Sequence, residues 1–189
     1  MTRTRSSVLV TALIYVFLLP RAAAAETLLI PWLGANNGGP YSSGAIEIGS
    51  SVGGTFGGVF GADVDFGYSP NFFGNGLSSH VLTLMGNIIV GIPFDRAQAA
   101  GIRPYATGGL GLIRAHIDGA PYSYGYSLGG NSLGANVGGG IMGFFGAHVG
   151  VRIDLRYLHS LDDNTVYSPN TLDISRLHYW RTSFGLVVR

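Results

Sequence analysis

The chain of 189 residues contains no cysteine and no lysine. Without cysteine it forms neither disulfides nor thiolate metal sites. The basic residues are 11 arginines, set against 10 acidic residues, and they form no basic patch of the kind that binds nucleic acid. After residue 25 no apolar run approaches the roughly 20 residues of a membrane-spanning helix. These absences exclude a disulfide scaffold, and they leave no basic patch for nucleic acid and no membrane-spanning helix after residue 25.

The first 25 residues have the pattern of a secretory signal peptide. Arg3 and Arg5 give a positive start, 8–19 is a short apolar run, and Ala23-Ala24-Ala25 supplies a small-residue cleavage site. An uncleaved anchor helix is the alternative, and the lack of cysteine excludes a lipoprotein attachment. We therefore expect a signal peptide over 1–25 and one mature domain over 26–189. Its eight arginines and ten acidic residues would give a net charge of −2.

The mature sequence is apolar in bulk but alternating in detail, with 47% hydrophobic residues and 31 glycines in the whole chain. The clearest stretch is 146–157, where every second residue is apolar and the residues between include Arg152, Asp154 and Arg156. A period of two predicts a β-strand, because successive side chains point to opposite faces. Similar patterns predict eight strands in all, at 27–34, 45–54, 59–68, 80–92, 102–117, 132–143, 146–157 and 176–189.

Two regularities indicate which class of β-protein this is. The predicted connections after strands one, three, five and seven are long, those after strands two and six are short, and that after strand four is intermediate, as in outer-membrane barrels. Charge is sorted onto one face, which holds four acids and four arginines: Glu47, Asp63, Asp65, Asp154, Arg103, Arg152, Arg156 and Arg181. A soluble barrel or sandwich would hold apolar residues inside and charge outside. The sequence therefore favours an all-β, eight-stranded antiparallel up-and-down transmembrane β-barrel, with an apolar exterior and a polar lumen.

Several stretches resemble the small eight-stranded outer-membrane barrels of the OmpA-like and opacity-type superfamily. They are G-G-V-F-G-A-D-V-D-F-G-Y-S-P-N-F-F at 57–73, R-P-Y-A-T-G-G-L-G-L-I-R at 103–114, G-V-R-I-D-L-R-Y-L at 150–158 and Y-W-R-T-S-F-G-L-V-V-R at 179–189. The resemblance covers nearly all of 26–189 and implies a location in the bacterial outer membrane. Members are variously structural, adhesive or of unknown role. Such barrels usually end in an aromatic residue that the barrel-assembly machinery reads, whereas this chain ends in Arg189.

The eight lumen charges are the main candidate site, and we expect them to pair, since isolated charges in a narrow barrel are costly. They form either a static polar core or an ion-pair gate that opens to pass ions. An eight-stranded barrel is just wide enough to be filled by side chains, which favours the static core. Near the predicted strand ends we expect an aromatic girdle at the membrane interfaces, made of Trp32, Tyr68, Tyr157, Tyr179 and Trp180.

Other candidate sites carry weaker signals. His159 and Ser160 with Asp162 and Asp163 offer the residue types of a lipid-active triad, but adjacent loop residues rarely form one. The two aspartates alone supply too few oxygens for a calcium site. A loop rich in tyrosine, glycine and serine, around Tyr122, Tyr124 and Tyr126, suits adhesive contact and is also ordinary loop composition.

The sequence thus predicts a non-enzymatic outer-membrane barrel with a structural or surface-interaction role. The alternatives are a narrow ion-conducting pore and, third, a lipid-modifying enzyme. We expect no cofactor and no metal site. The expected partners are outer-membrane lipid, the barrel-assembly machinery during insertion and a surface partner at the loops. We expect no nucleic acid partner and a monomeric state.

Overall fold

Eight antiparallel strands close into a barrel. The computed structural model of the protein describes residues 25–38, 43–56, 59–74, 78–92, 101–118, 127–161 and 177–189. The strands are β1 (Ala25–Asn37), β2 (Ser43–Phe56), β3 (Phe60–Pro70), β4 (Ser78–Gly91), β5 (Gly101–Asp118), β6 (Ser127–Phe144), β7 (Val149–Ser160) and β8 (His178–Val188). Each strand pairs with the next, and β1 pairs with β8. The predicted fold class is confirmed. All but the last residue of the predicted signal peptide lies outside the described residues.

The strand bounds depart from the predicted ones mainly by extension. β1 continues to Asn37 and β6 begins five residues earlier than predicted, at Ser127, so the connections on the predicted loop side are shorter than the sequence indicated. β7 begins later, at Val149, because Phe145–His148 form the turn from β6, with the Phe145 amide donating to the Val149 carbonyl at 3.0 Å. The described part of the chain holds no helix long and apolar enough to cross a membrane.

The outer face of the barrel is apolar, as the alternation predicts. Along β3 and β7 exposed and buried residues alternate, and the exposed ones include Val64, Ile153 and Leu155. Ile153 pairs with Ile141 on β6 and with Phe184 on β8, both also exposed. A contiguous apolar surface of this kind is unfavourable in water and suits contact with lipid.

The interior has three layers, of which the sequence indicated only the middle one. A loop-side cluster, near the connections that follow β1, β3, β5 and β7, consists of Phe72, Val81, Met85, Ile113, Ala115, Leu158, Leu177 and Tyr179. A turn-side cluster, near the opposite end, consists of Leu28, Ile30, Ile89, Tyr105, Met142, Phe144 and Val187. Buried charged side chains lie between the two. The lumen is therefore a polar layer between two apolar clusters.

The predicted aromatic girdle is wrong for two of its five members. Trp32 and Tyr179 point into the barrel and are 5% and 1% exposed, whereas Tyr68, Tyr157 and Trp180 lie on the outer face. Tyr179 and Trp180 are consecutive in β8, so their side chains must face opposite sides. For Trp32 the alternation fails as a guide, because β1 is apolar on both faces here: Leu28 and Ile30 fill the turn-side cluster while Leu29 is exposed.

The outward position of Ile153 yields a test of the membrane-facing surface. We expect Ile153→Arg to lower the free energy of unfolding by about 2–4 kcal/mol, the cost of an arginine at the bilayer midplane. Phe145→Arg, in the exposed β6–β7 turn, is the matched control and should cost about 0–1 kcal/mol, as near an interface. Denaturant titration of protein refolded into lipid vesicles measures both. An equal loss of unfolding free energy in the two variants would contradict the assignment of Ile153 to the membrane-facing surface.

Candidate functional site: the charged layer inside the barrel

Seven of the eight predicted lumen charges lie together in the interior. They are no more than 5% exposed and form what we call the charged layer: Glu47, Asp63, Asp65, Arg152, Asp154, Arg156 and Arg181. β2 and β3 supply three of the four acids from one side of the barrel. β7 and β8 supply Asp154 and all three arginines from the opposite side. Inward-facing positions on these four strands bring the side chains to one level.

Asp65 is the centre of the charged layer. Its Oδ1 accepts a hydrogen bond from Arg181 Nη2 at 2.7 Å, and its Oδ2 accepts from Ser51 Oγ at 2.6 Å and from Trp32 Nε1 at 3.1 Å. Arg152 Nη2 and Arg156 Nη1 approach the same Oδ2 to 3.8 Å and 4.0 Å. One carboxylate from β3 thus contacts every arginine of the layer.

Asp154 anchors the β7 side of the layer. Its Oδ1 accepts from Arg156 Nε at 2.7 Å, and its Oδ2 lies 3.9 Å from Arg152 Nε. The hydroxyl of Tyr105 donates to the same Oδ2 from β5. The carboxylate therefore orients the two arginines that flank it on β7, two residues before and two after, on the same inward face.

Asp63 is held by both charged and neutral donors. Its Oδ2 accepts from Arg152 Nη1 at 3.4 Å and lies 3.7 Å from Arg156 Nη2. Its Oδ1 accepts from Asn87 Nδ2 at 2.6 Å, and the Asn87 carbonyl oxygen accepts in turn from Asn136 Nδ2 at 2.7 Å. This chain of amides extends the polar layer from β3 through β4 to β6.

Glu47 completes the layer toward the loop side. Its Oε1 accepts from Arg181 Nη1 and from Thr83 Oγ1, each at 3.3 Å. The layer then holds four carboxylates and three guanidinium groups. Neutral donors offset the excess of acid: the Trp32 indole, the Tyr105 hydroxyl and the Asn87 amide each donate to a carboxylate.

Two of the arginines are held face to face despite their like charge. Arg156 pairs directly with Arg181 in the β7–β8 register, and both side chains point inward. Like charges directly opposite on neighbouring strands repel. Asp65 lies within ion-pair distance of both, so the β3 carboxylate is what makes this pairing tolerable.

Arg103 is the predicted lumen charge that the structure places elsewhere. It is the third residue of β5, opposite Met142, and its guanidinium lies over the Phe144 ring at 4.8 Å from the centroid. This position is at the turn-side end of the barrel, against Met142 and Phe144 of the turn-side cluster. Its place in the charged layer is therefore corrected: the alternation gave the right face of the strand but not the height along it.

Inward glycines leave the room that the large side chains of the layer fill. A Cβ added to Gly138 on β6 would lie 2.8 Å from Arg156 Cα and 2.9 Å from its Cγ, and one added to Gly67 would lie 2.6 Å from Thr83 Oγ1. All three distances are shorter than ordinary van der Waals contacts. The glycine content of the chain thus reflects, at these positions, close packing against charged and polar side chains.

The sequence did not identify the neutral partners of the layer. Ser51, Asn87 and Tyr105 face inward, as their strand parity allows, but nothing in the sequence marks them as hydrogen-bond partners of the aspartates. Trp32 carries no such signal either, because it lies in a strand that is apolar on both faces.

The other predicted sites are not assembled in the described residues. His159 faces outward and Ser160 inward, where its hydroxyl shares a hydrogen bond with Ser132, so the two do not converge. Asp162 and Asp163, and the tyrosines 122, 124 and 126, lie outside the described residues. Within the residues that the structure describes, no three histidine or acidic side chains are grouped to hold a metal ion.

Removing Asp65 tests whether the charged layer holds the barrel together. We expect Asp65→Ala to lower the free energy of unfolding by about 3–5 kcal/mol, because the arginines around it lose a buried partner. The double variant Asp65→Ala with Arg181→Met removes one charge of each sign and should cost less than the sum of Asp65→Ala alone and Arg181→Met alone. Urea titration in lipid vesicles measures the cycle. A single-variant loss near zero, or strict additivity, would contradict this role.

No protein-family model and no curated protein matches the chain, but solved structures do. Neisserial surface protein A is 18% identical, with a TM-score of 0.63, and the match covers 87% of this chain and 98% of that one. The N-terminal β-barrel domain of Pseudomonas aeruginosa OprF is 14% identical, with a TM-score of 0.54 and 87% and 98% covered. Ail of Yersinia pestis is 14% identical, with a TM-score of 0.52 and 86% and 95% covered. The chain therefore has the fold of the small outer-membrane β-barrels, in agreement with the outer-membrane location that the sequence predicts.

Proposed function

We propose that this chain is a non-enzymatic β-barrel of the bacterial outer membrane whose filled interior supports the fold and whose loop side makes contacts at the cell surface. The observation that carries this proposal is the three-layered interior. Charged side chains that are nearly all hydrogen-bonded to one another occupy the middle, and apolar side chains pack above and below them. Such an interior offers rigidity, and leaves the outside of the barrel as the part available for contacts.

The same interior argues against the alternative of a narrow pore. A cavity of about 20 Å³ lies at the turn-side end, among Leu28, Tyr105, Met142, Phe144 and their neighbours. That volume accommodates about one water molecule. An ion crossing the barrel would have to part both apolar clusters and displace the arginines that Asp65 holds.

The enzymatic alternative finds little support in the arrangement of histidines. On the described strands His80, His116, His159 and His178 all lie on the outer face, while the buried serines lie inside. A hydrolase of the serine type needs a histidine within hydrogen-bond reach of the nucleophile. The barrel wall separates these histidines from the buried serines.

The loop side offers a projecting element for surface contact. β5 and β6 are the longest strands, with 18 residues each, and pair along their whole length. β6 begins seven residues before its first pairing with β7, at Gly134. The hairpin therefore extends beyond β7 toward the loop side, whereas β4 stays paired with β5 as far as Asp118. Ail, which has the same fold, is named as an attachment protein and has been crystallised with a heparin analogue, so this architecture is compatible with a surface-contact role.

Planar-bilayer recording tests the proposal for the interior. Refolded wild-type protein should add no steady conductance to the bilayer, because the apolar clusters and the ion pairs fill the lumen. Lipid from the same preparation, analysed for hydrolysis products, should be unchanged. A stable unitary conductance of the wild type would establish the pore instead, and accumulation of free fatty acid or lysolipid would establish the enzyme.

Substitution of the tyrosines in the sequence between β5 and β6 tests the surface role. Cells that display the barrel with Tyr122, Tyr124 and Tyr126 changed to serine should aggregate and attach to protein-coated surfaces less than cells with the wild type, since tyrosines provide amphipathic contact area. Phe145→Ser, in the turn at the other end, is the matched control. Barrel amounts are equalised on gels that separate the folded from the heated form. Unchanged attachment of the triple tyrosine variant would contradict the surface role.

A further inference from the structure

The four histidines of the described strands form two cross-strand pairs on the outer face. His80 on β4 lies directly opposite His116 on β5, and His159 on β7 lies directly opposite His178 on β8. The ring centroids are 5.1 Å apart in the first pair and 6.3 Å in the second. Both pairs are near the loop-side ends of their strands. Neither the barrel fold nor the charged layer requires them.

The first pair has the spacing of a two-imidazole metal chelate. Residues directly opposite on antiparallel strands have Cβ atoms about 4.5–5.5 Å apart, so the sheet itself fixes the two side chains side by side. Metal–nitrogen bonds of about 2.0–2.1 Å in a tetrahedral site place two imidazole centroids about 5 Å apart. We propose that His80 and His116 form a binding site on the outer surface for a divalent first-row transition metal such as Zn²⁺, Cu²⁺ or Ni²⁺, the metals that imidazole suits.

The position of the pair suits exchange of a metal with the surrounding medium. Both histidines are half-buried, and the next outward residues toward the membrane centre are Leu82 and Arg114, which pair with each other. Tyr68 lies beside the site, with its ring centroid 5.8 Å from that of His80. No third histidine or carboxylate of the described residues joins the pair. The described strands therefore supply two imidazole ligands to the proposed site.

The second pair differs in a way that makes it the internal control. Its 6.3 Å separation corresponds to a nearly linear arrangement of two imidazoles about one metal rather than a tetrahedral one. The Tyr157 ring lies 6.3 Å from His159, nearly parallel to it, and 6.2 Å from His178. These two histidines are thus part of an aromatic group that also includes Trp180, 5.1 Å from Tyr157.

Metal titration of the refolded barrel in detergent tests the proposal. With Zn²⁺ as the probe, whose tetrahedral preference excludes the nearly linear second pair, calorimetry should give one site per wild-type chain. His80→Gln and His116→Gln should each weaken it by roughly 10²-fold, because the second imidazole otherwise binds at high effective concentration. His178→Gln, from the second pair, and His148→Gln, from the exposed β6–β7 turn, should leave it unchanged. All four positions face away from the interior, and the gel shift on heating verifies that each variant is folded.

Electron paramagnetic resonance of the Cu²⁺ form provides a readout on the unmodified protein. Two equatorial nitrogens should couple to the copper in the wild type, and one in His116→Gln. The proposal is overturned if wild-type protein binds the metal no more tightly than His116→Gln, or if His178→Gln or His148→Gln abolishes the site. A copper spectrum with one nitrogen in the wild type would likewise overturn it.

Discussion

The contact of the Asp65 carboxylate with three arginines is the interaction on which the rest of the interior depends. A buried ion pair contributes little net stability, since desolvation offsets the attraction, but losing one partner is expensive. The main effect of the charged layer is therefore to select one register of the strands. If β7 shifted by one residue, Arg152, Asp154 and Arg156 would turn toward lipid, where each arginine costs about 2–4 kcal/mol at the midplane. The ion pairs thus favour one register of β7 and β8 against β3.

This central layer also accounts for the distribution of residue sizes inside the barrel. Three long arginines and two aromatic side chains, Trp32 and Tyr105, must fit within eight strands. Adjacent strands therefore carry glycine at positions such as Gly138, which pairs with Arg156, and Gly67, which pairs with Thr83. Large and small inward residues are complementary between neighbouring strands. A chain that replaced these glycines by alanine would retain the alternation that predicts the strands while losing the space that the layer needs.

Much of the fold followed from period-two alternation, and its failures have physical causes. On β7 the charges fall on one face and the apolar residues on the other, so both strand and orientation could be predicted. On β1 both faces are apolar, so the inward position of Trp32 could not be predicted from the alternation. Alternation gives the face but not the height, so Arg103 was assigned to the wrong level. The histidine pairs could not be predicted from the sequence, because strand register is what places His80 opposite His116. Register is set by the closed sheet and not by either strand alone.

The two apolar clusters change what the charged layer can do. They keep water from its ends, and in the resulting low dielectric each ion pair is stronger and each unpaired charge more costly than in a wet lumen. Opening the layer by one arginine would therefore require parting a cluster at the same time, because a charge freed inside has no solvent to meet. An interior of this kind therefore opposes a stepwise opening of the lumen. Contacts that respond to the surrounding medium are expected on the outer face and at the loop-side ends of the strands, where side chains such as His80 and His116 lie.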